Sequence, residues 1–203
     1  MLKQLRTSFE RQKYLDELLI AEKNLFPYIS RLNYVQRISP KNLHDGVYAF
    51  VDAEKSDYAK KKKSEVNIMP KVFSKLSEEE FKMVLYHENK HCRDFFEGIK
   101  VGGEYLDIFR LRYSVQDMIL ELRAEHARQD MIYWVFKNQR EAFSKDVSLE
   151  FVIESEDMYI TSYFVLKNLL MVGRLSDYER QAVEKHLLNF GSWLRDEYKH
   201  KVR

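Results

Sequence analysis

The sequence predicts an α+β fold that is mostly α-helical, with a small sheet or hairpin followed by helices. Several apolar segments repeat with a helical period behind Ser or Thr caps, and two shorter segments alternate as strands do. At 203 residues the chain is long enough to bury a core. We therefore expect one domain over 1–203, with an N-terminal helical segment (1–45), a central core (46–145) and C-terminal helices (146–203).

The first helix is predicted at the N-terminus. Thr7-x-x-Glu10 has the form of a capping box, in which two side chains bond each other's backbone N–H groups. The helix is expected to end near Asn24, because Pro27 cannot continue it.

Two strands are predicted next. Asp45-Gly46 is a turn signal, and Val47 to Val51 after it is strand-like. Residues 64–69 alternate between polar and apolar side chains before Pro70. We expect the two strands to form a hairpin joined by the charged loop 54–63.

The segment after Ser77 predicts a helix from about residue 78 to 97. Ser77-x-x-Glu80 is a second capping box, and Leu76 and Phe81 occupy the positions of a hydrophobic staple around it. The apolar residues that follow keep a helical period. Gly98 is suited to end the helix in the left-handed conformation.

Further helices are predicted in the C-terminal half. One should run from Ser114, capped by Asp117, to about Gln139; another from about Glu156 to Gly173; and the last from Ser176-x-x-Glu179 to about Tyr198. Residues 147–153 are open between strand and helix, because their apolar side chains alternate while the neighbouring segments are helical.

The pentapeptide His87-Glu88-Asn-Lys-His91 carries the strongest chemical signal. On a helix the two histidines stand one turn apart on one face, so both imidazoles can reach one metal ion. Glu88 sits beside them, where a carboxylate can take a proton from metal-bound water. Zinc lowers the pKa of such water to about 7, so the pattern predicts metal-assisted hydrolysis.

A catalytic zinc site needs a third protein ligand and one open position. The best source is the segment Glu121-Leu-Arg-Ala124-Glu125, which lies within the next predicted helix. Its two glutamates share one helical face, and the small Ala124 allows a close approach of helices. His126 is an alternative third ligand.

His-Glu-x-x-His followed thirty residues later by Glu-x-x-Ala-Glu resembles the gluzincin branch of the zincin metallopeptidases. The resemblance covers about residues 64 to 130. It implies a zincin-like core, one Zn²⁺ held by His87, His91 and Glu121, and Glu88 as the general base. It also implies that Glu125 orients a ligand histidine. The family usually has Asp at that last position.

The resemblance implies a zinc-dependent peptidase that acts on peptides or proteins. A zinc-binding regulator or sensor with little turnover is the alternative. A metzincin pattern fits less well, because Asp94 and Glu97 stand where it needs a Gly and a ligand. Family members usually add a Tyr, His or Arg that stabilises the oxyanion, and Tyr159, Tyr163 and His186 stay open for this role.

Composition and charge limit the remaining classes. The net charge of +2 does not predict a nucleic-acid partner, so the lysines at 60–63 are expected to be a solvated loop tip. The N-terminus has no signal-peptide core, and the apolar stretch 158–172 is too short to span a bilayer. A single cysteine suits a reducing compartment, so we expect a cytoplasmic protein. Cys92 and the segment 133–136 are expected in the core.

Overall fold

The computed structural model describes residues 2–36, 47–51 and 63–201, with side chains described up to Phe190, Ala142 excepted. Its helices are α1 (Ser8–Ala21), α2 (Val72–Lys75), α3 (Glu78–Glu97), α4 (Tyr113–Asn138), α5 (Arg140–Asp146), α6 (Leu149–Val172) and α7 (Asp177–Lys201). Its strands are β1 (Ile29–Tyr34), β2 (Ala49–Val51), β3 (Ser64–Ile68), β4 (Ile99–Val101) and β5 (Glu104–Leu106). The predicted class, α+β and mostly α, is confirmed.

The larger sheet has the strand order β1-β3-β2. The predicted pairing of β2 with β3 is confirmed, and it is antiparallel, with Ala49 opposite Ile68 and Val51 opposite Val66. The turn predicted at Asp45-Gly46 and the loop at 54–62 lie outside the described residues. Since β3 lies in the centre, β2 is an edge strand of this sheet among the described residues.

Sequence reasoning missed β1, which pairs in parallel with β3. The pairing register of β1 shifts between Ile29 and Arg31, and only Ile29 and Leu32 of the strand are fully buried. Buried and exposed residues therefore do not alternate along it. A bulged strand of this kind loses the two-residue period that marks a strand in a sequence.

The helix that carries the pentapeptide has the predicted limits. The side chain of Ser77 accepts from the N–H of Glu80, and the Glu80 carboxylate accepts from the N–H of Ser77. Leu76 and Phe81 are both buried in one apolar cluster, as the staple requires. Gly98 ends the helix with φ of 72°, a conformation that side chains rarely adopt. The helix centre is thereby held well away from fraying ends.

Other helix limits differ from the predictions. α4 starts at Tyr113, and its cap Arg112 makes no side-chain bond, so the predicted cap of Ser114 with Asp117 is wrong. α1 ends at Ala21, short of Asn24. Residues 149–153 are helical, because Ser148 caps α6 by accepting from the N–H of Phe151. The capping box of Ser176 with Glu179 before α7 is confirmed.

Two apolar clusters flank the central helices. One joins α1, the larger sheet and α3, and includes Leu32, Val66 and Phe81. The other joins the β4–β5 hairpin, α4, α6 and α7, and includes Ile99, Ile119 and Val183. α4 packs against both α3 and α6. The packing of α3 against α4 is therefore supported by an apolar cluster on each side.

Two expectations about burial have different outcomes. Cys92 is fully buried, as predicted. The prediction of a core position for residues 133–136 is wrong for the aromatic side chains, since Tyr133, Trp134 and Phe136 are exposed and only Val135 is buried. Within the described part of the chain, no helix combines the length and apolar character needed to cross a membrane.

Candidate metal centre

A cleft of about 680 Å³ runs between α3, α4 and strand β2. From α3 it is lined by His87, Glu88 and His91, which follow the helical period onto one face. From α4 it is lined by Glu121 and Glu125, one turn apart. The cleft thus brings together every residue that the sequence analysis assigned to the site.

Two imidazole nitrogens and one carboxylate converge at the centre of the cleft. Nε2 of His87 and Nε2 of His91 lie 3.0 Å apart. The Glu121 carboxylate places Oε1 at 3.3 Å from Nε2 of His91 and Oε2 at 3.6 Å from Nε2 of His87. Ligands at 2.0–2.1 Å from a tetrahedral zinc ion are about 3.3 Å from each other, which is close to these separations.

Glu125 lies behind His87 and not in the centre. Its Oε1 is 3.3 Å from Nδ1 of His87, on the ring side opposite the converging Nε2 atoms. Oε2 of the same carboxylate contacts Nη2 of Arg128 at 2.5 Å. This is the position from which a carboxylate can orient a ligand histidine.

The titratable groups at the centre shift one another's pKa values in opposite directions. Burial and the neighbouring His91 lower the pKa of His87 well below its ordinary value. Burial also disfavours charge on His91, but Glu121 and Glu88 outweigh it and raise the pKa of His91 to about 9. Burial would raise the pKa of Glu121, yet the two histidines lower it to about 2. At neutral pH the Glu121 carboxylate is therefore ionised and His91 carries a proton, which a cation bound at this imidazole would displace.

Glu88 is buried at the wall of the cleft beside the converging atoms. Burial is the main cause that raises the pKa of its carboxyl to about 7. A carboxylate with a pKa near neutral can both accept and release a proton at that pH.

The alternative ligands lie elsewhere. His126 points away from the converging atoms, with Nδ1 3.2 Å from Asp130, and its ring contacts Tyr159 and Phe190. Asp94 is bound by Arg123 and Lys90. Glu97, at the end of the helix, accepts from Tyr28 and Arg93. Their positions argue against both the His126 and the metzincin alternatives.

The cleft does not contain the residues considered for oxyanion stabilisation. Tyr159 and His186 are buried in the second apolar cluster, and Tyr163 packs against it. Tyr48, Tyr113 and Arg128 line the cleft instead. Arg128 follows Glu121 at seven residues, a helical spacing from which the sequence could have identified it. The tyrosines gave no comparable signal.

Comparisons with known proteins do not identify the chain. It matches no protein-family model, no curated protein and no solved structure.

Proposed function

We propose that the protein is a zinc-dependent peptidase with His87, His91 and Glu121 as zinc ligands. The observation that carries the proposal is the convergence of two imidazole Nε2 atoms and one carboxylate at separations of 3.0 to 3.6 Å. These three residues also offer ligand atoms that all lie within 4.8 Å of one another. Two neighbouring helices supply this set, so it does not arise from local chain geometry alone.

The donor set suits zinc. Two imidazoles and one carboxylate, with a position left open to the cleft, are the ligands of several catalytic zinc sites. Bound there, zinc would supply Lewis acidity and lower the pKa of a water molecule to about 7. The buried Nδ1 of His87 has no aligned hydrogen bond among the described residues, and Glu125 lies 3.3 Å from it. That carboxylate would fix the tautomer whose Nε2 lone pair faces the centre.

Glu88 would act first as the general base and then as the general acid. Its carboxylate accepts a proton from the attacking water, holds it at a carboxyl oxygen and passes it to the leaving nitrogen of the peptide. The raised pKa of Glu88, about 7, suits a group that must do both. Glu88 is a neighbour of His87 in the chain, so the helix fixes its place relative to the ligands.

The shape of the cleft favours a peptide over a compact substrate. Strand β2 lies along one wall, and residues 47–51 all line the cleft. Within the part of the chain that the structure describes, β2 is an edge strand, and the backbone groups of such a strand can pair with an extended peptide. The apolar side chains Val51, Val84 and Leu120 supply surfaces for substrate side chains.

Peptide cleavage tests the proposal. Purified, zinc-loaded protein is incubated with a diverse peptide library, and products are identified by mass spectrometry. Glu88→Gln should retain zinc and fold but lose about 10²- to 10⁴-fold in rate, because an amide cannot act as the base. Glu97→Gln, on the same helix but outside the cleft, is the matched control and should cleave normally.

Two results would go against the proposal. Equal cleavage by wild type and Glu88→Gln would remove Glu88 from the chemistry. A wild type that binds zinc through the assigned ligands but cleaves no peptide would support the zinc-binding regulator instead.

A further inference from the structure

A buried ion pair joins α3 and α4 outside the cleft. Arg123 donates from Nε to Oδ2 of Asp94 at 2.6 Å and from Nη2 to Oδ1 at 3.0 Å. Lys90 also donates to Oδ1. Asp94 is 2% exposed, so its carboxylate exchanges water for these donors almost completely. A two-pronged guanidinium contact of this kind fixes both distance and direction.

The ion pair is adjacent to the ligands along both helices. Asp94 follows His91 by three residues, and Arg123 lies between Glu121 and Glu125. Neither Asp94 nor Arg123 lines the cleft; they line a separate cavity with Gly98 and Tyr105. The pair is therefore close to the centre without access to anything bound in it.

Zinc ligands on separate helices need a fixed helix register. The distances between a metal ion and its ligand atoms vary by only about 0.2 Å among known sites. Apolar packing between helices is not directional, so it does not by itself define the helix register this closely. Between the two helices, Glu121 lies 3.3 Å from His91 and 3.6 Å from His87. Arg123 and Asp94 are joined by two directional hydrogen bonds outside the centre, so this pair can fix the helix register independently of metal.

We infer that Asp94 and Arg123 are positioning residues that hold α3 and α4 in the register the metal centre requires. The inference depends on the proposed zinc site and identifies what preorganises it. Asp94 acts on His91 through one turn of α3, and Arg123 acts on Glu121 and Glu125 through α4. Neither residue touches metal or substrate.

The experiment measures zinc affinity in metal-free protein by competition with a chromophoric chelator. Circular dichroism and thermal unfolding of the same metal-free samples report whether each variant is folded. Asp94→Asn keeps the size of the side chain but removes its charge. Arg123→Lys keeps the charge but cannot donate the two parallel hydrogen bonds of a guanidinium. Arg93→Gln is the control, because Arg93 pairs with the exposed Glu97 of its own helix.

The inference predicts a graded loss of affinity in folded variants. Asp94→Asn should raise the zinc dissociation constant by about 10- to 100-fold, the range found when supporting contacts of metal ligands are removed. Arg123→Lys should lie between Asp94→Asn and wild type, and Arg93→Gln should match wild type. Cobalt(II) used as a spectroscopic probe should show altered visible absorption in Asp94→Asn, which a purely structural role would not produce.

Other results overturn the inference. If Asp94→Asn and Arg123→Lys are folded and bind zinc as tightly as wild type does, the pair does not set the register, and the proposed zinc site is unaffected. If Asp94→Asn does not fold without metal, the zinc affinity of Arg123→Lys alone tests the inference. If neither variant folds without metal, the pair supports the fold and not the helix register. Failure of wild type to bind zinc at His87 and His91 would instead remove the proposed function itself.

Discussion

Two regions of the molecule bury histidines in opposite ways. In the cleft, His87 and His91 point their Nε2 atoms at each other and at a carboxylate of another helix. In the second apolar cluster, His186 of α7 is fully buried, with Nδ1 2.7 Å from the carbonyl oxygen of Ala182 and its ring stacked on Phe190. Burial is similar in both regions, but only the first brings metal-ligating atoms together.

The convergence of possible ligand atoms, and not burial, therefore identifies a candidate metal centre. The pKa of His186 is lowered to about 4, chiefly by burial, so it is a neutral core side chain at physiological pH. The cleft pair has opposite shifts: burial and the neighbouring His91 lower the pKa of His87, whereas Glu121 and Glu88 outweigh burial and raise that of His91. A functional role for the pair and a structural role for His186 predict different responses to mutation and pH.

The largest expected effect concerns the third ligand. Glu121→Gln should weaken zinc binding by more than about 100-fold, beyond the range typical of a residue that only supports a ligand. Asp117→Asn is the matched control, since Asp117 lines the same cleft one turn away on α4 without belonging to the converging group. Competition titration with a chelator measures both. Equal losses in the two variants would contradict the assignment of Glu121.

The second prediction concerns stability and His186. Its pKa is about 4 in the folded protein and about 6.5 when unfolded, so only the unfolded chain takes up the proton between these values. Stability from this group is therefore full above pH 6.5 and falls as pH drops towards 4, by about 3 kcal/mol. Urea unfolding across this range should show the fall.

The matched variant for this prediction is His186→Leu, which cannot be protonated. Its loss of stability between pH 6.5 and 4 should be smaller than that of wild type, and its zinc affinity should be unchanged. The same pH dependence in both proteins would show that other groups cause it.

The third prediction concerns Glu125. Glu125→Gln should weaken zinc binding by about 10- to 100-fold, because the amide supports the imidazole of His87 less well than the carboxylate 3.3 Å from its Nδ1. The loss should be smaller than that of Glu121→Gln. A larger loss would exchange the roles of the two glutamates.

The smallest expected effect is the pH dependence of zinc affinity, which follows from the protonation of His91. The pKa of His91 is raised to about 9, so zinc must displace a proton from it at any lower pH. Apparent zinc affinity should rise about tenfold per pH unit between pH 7 and 8.5. An affinity that is flat over this interval would mean that Glu121 does not raise the pKa of His91.

The sequence predicts the limits of α3 better than those of β1 and α4. Reciprocal capping at Ser77 and Glu80 is local, so the limits of α3 could be read directly. β1 could not, because its parallel partner β3 is distant in the chain and its register is irregular. Ser114 and Asp117 fit a cap pattern, yet α4 begins before them.

The same contrast holds within the candidate site. His87, Glu88 and His91 follow from the spacing of one helix, and the two glutamates from that of another. That these helices meet face to face depends on tertiary packing, as do the places of Tyr48, Tyr113 and the Asp94–Arg123 pair. The aromatic residue types at 133–136 predict a core position, but the aromatic side chains of this segment are exposed on α4.

The most direct test is the zinc content of protein purified without chelator, measured by elemental analysis. The account predicts about one zinc per chain in wild type and in His186→Leu, and almost none in the double variant His87→Ala/His91→Ala. Circular dichroism establishes that the double variant is folded. Full zinc retention by the folded double variant would contradict the assignment of the cleft as a metal centre.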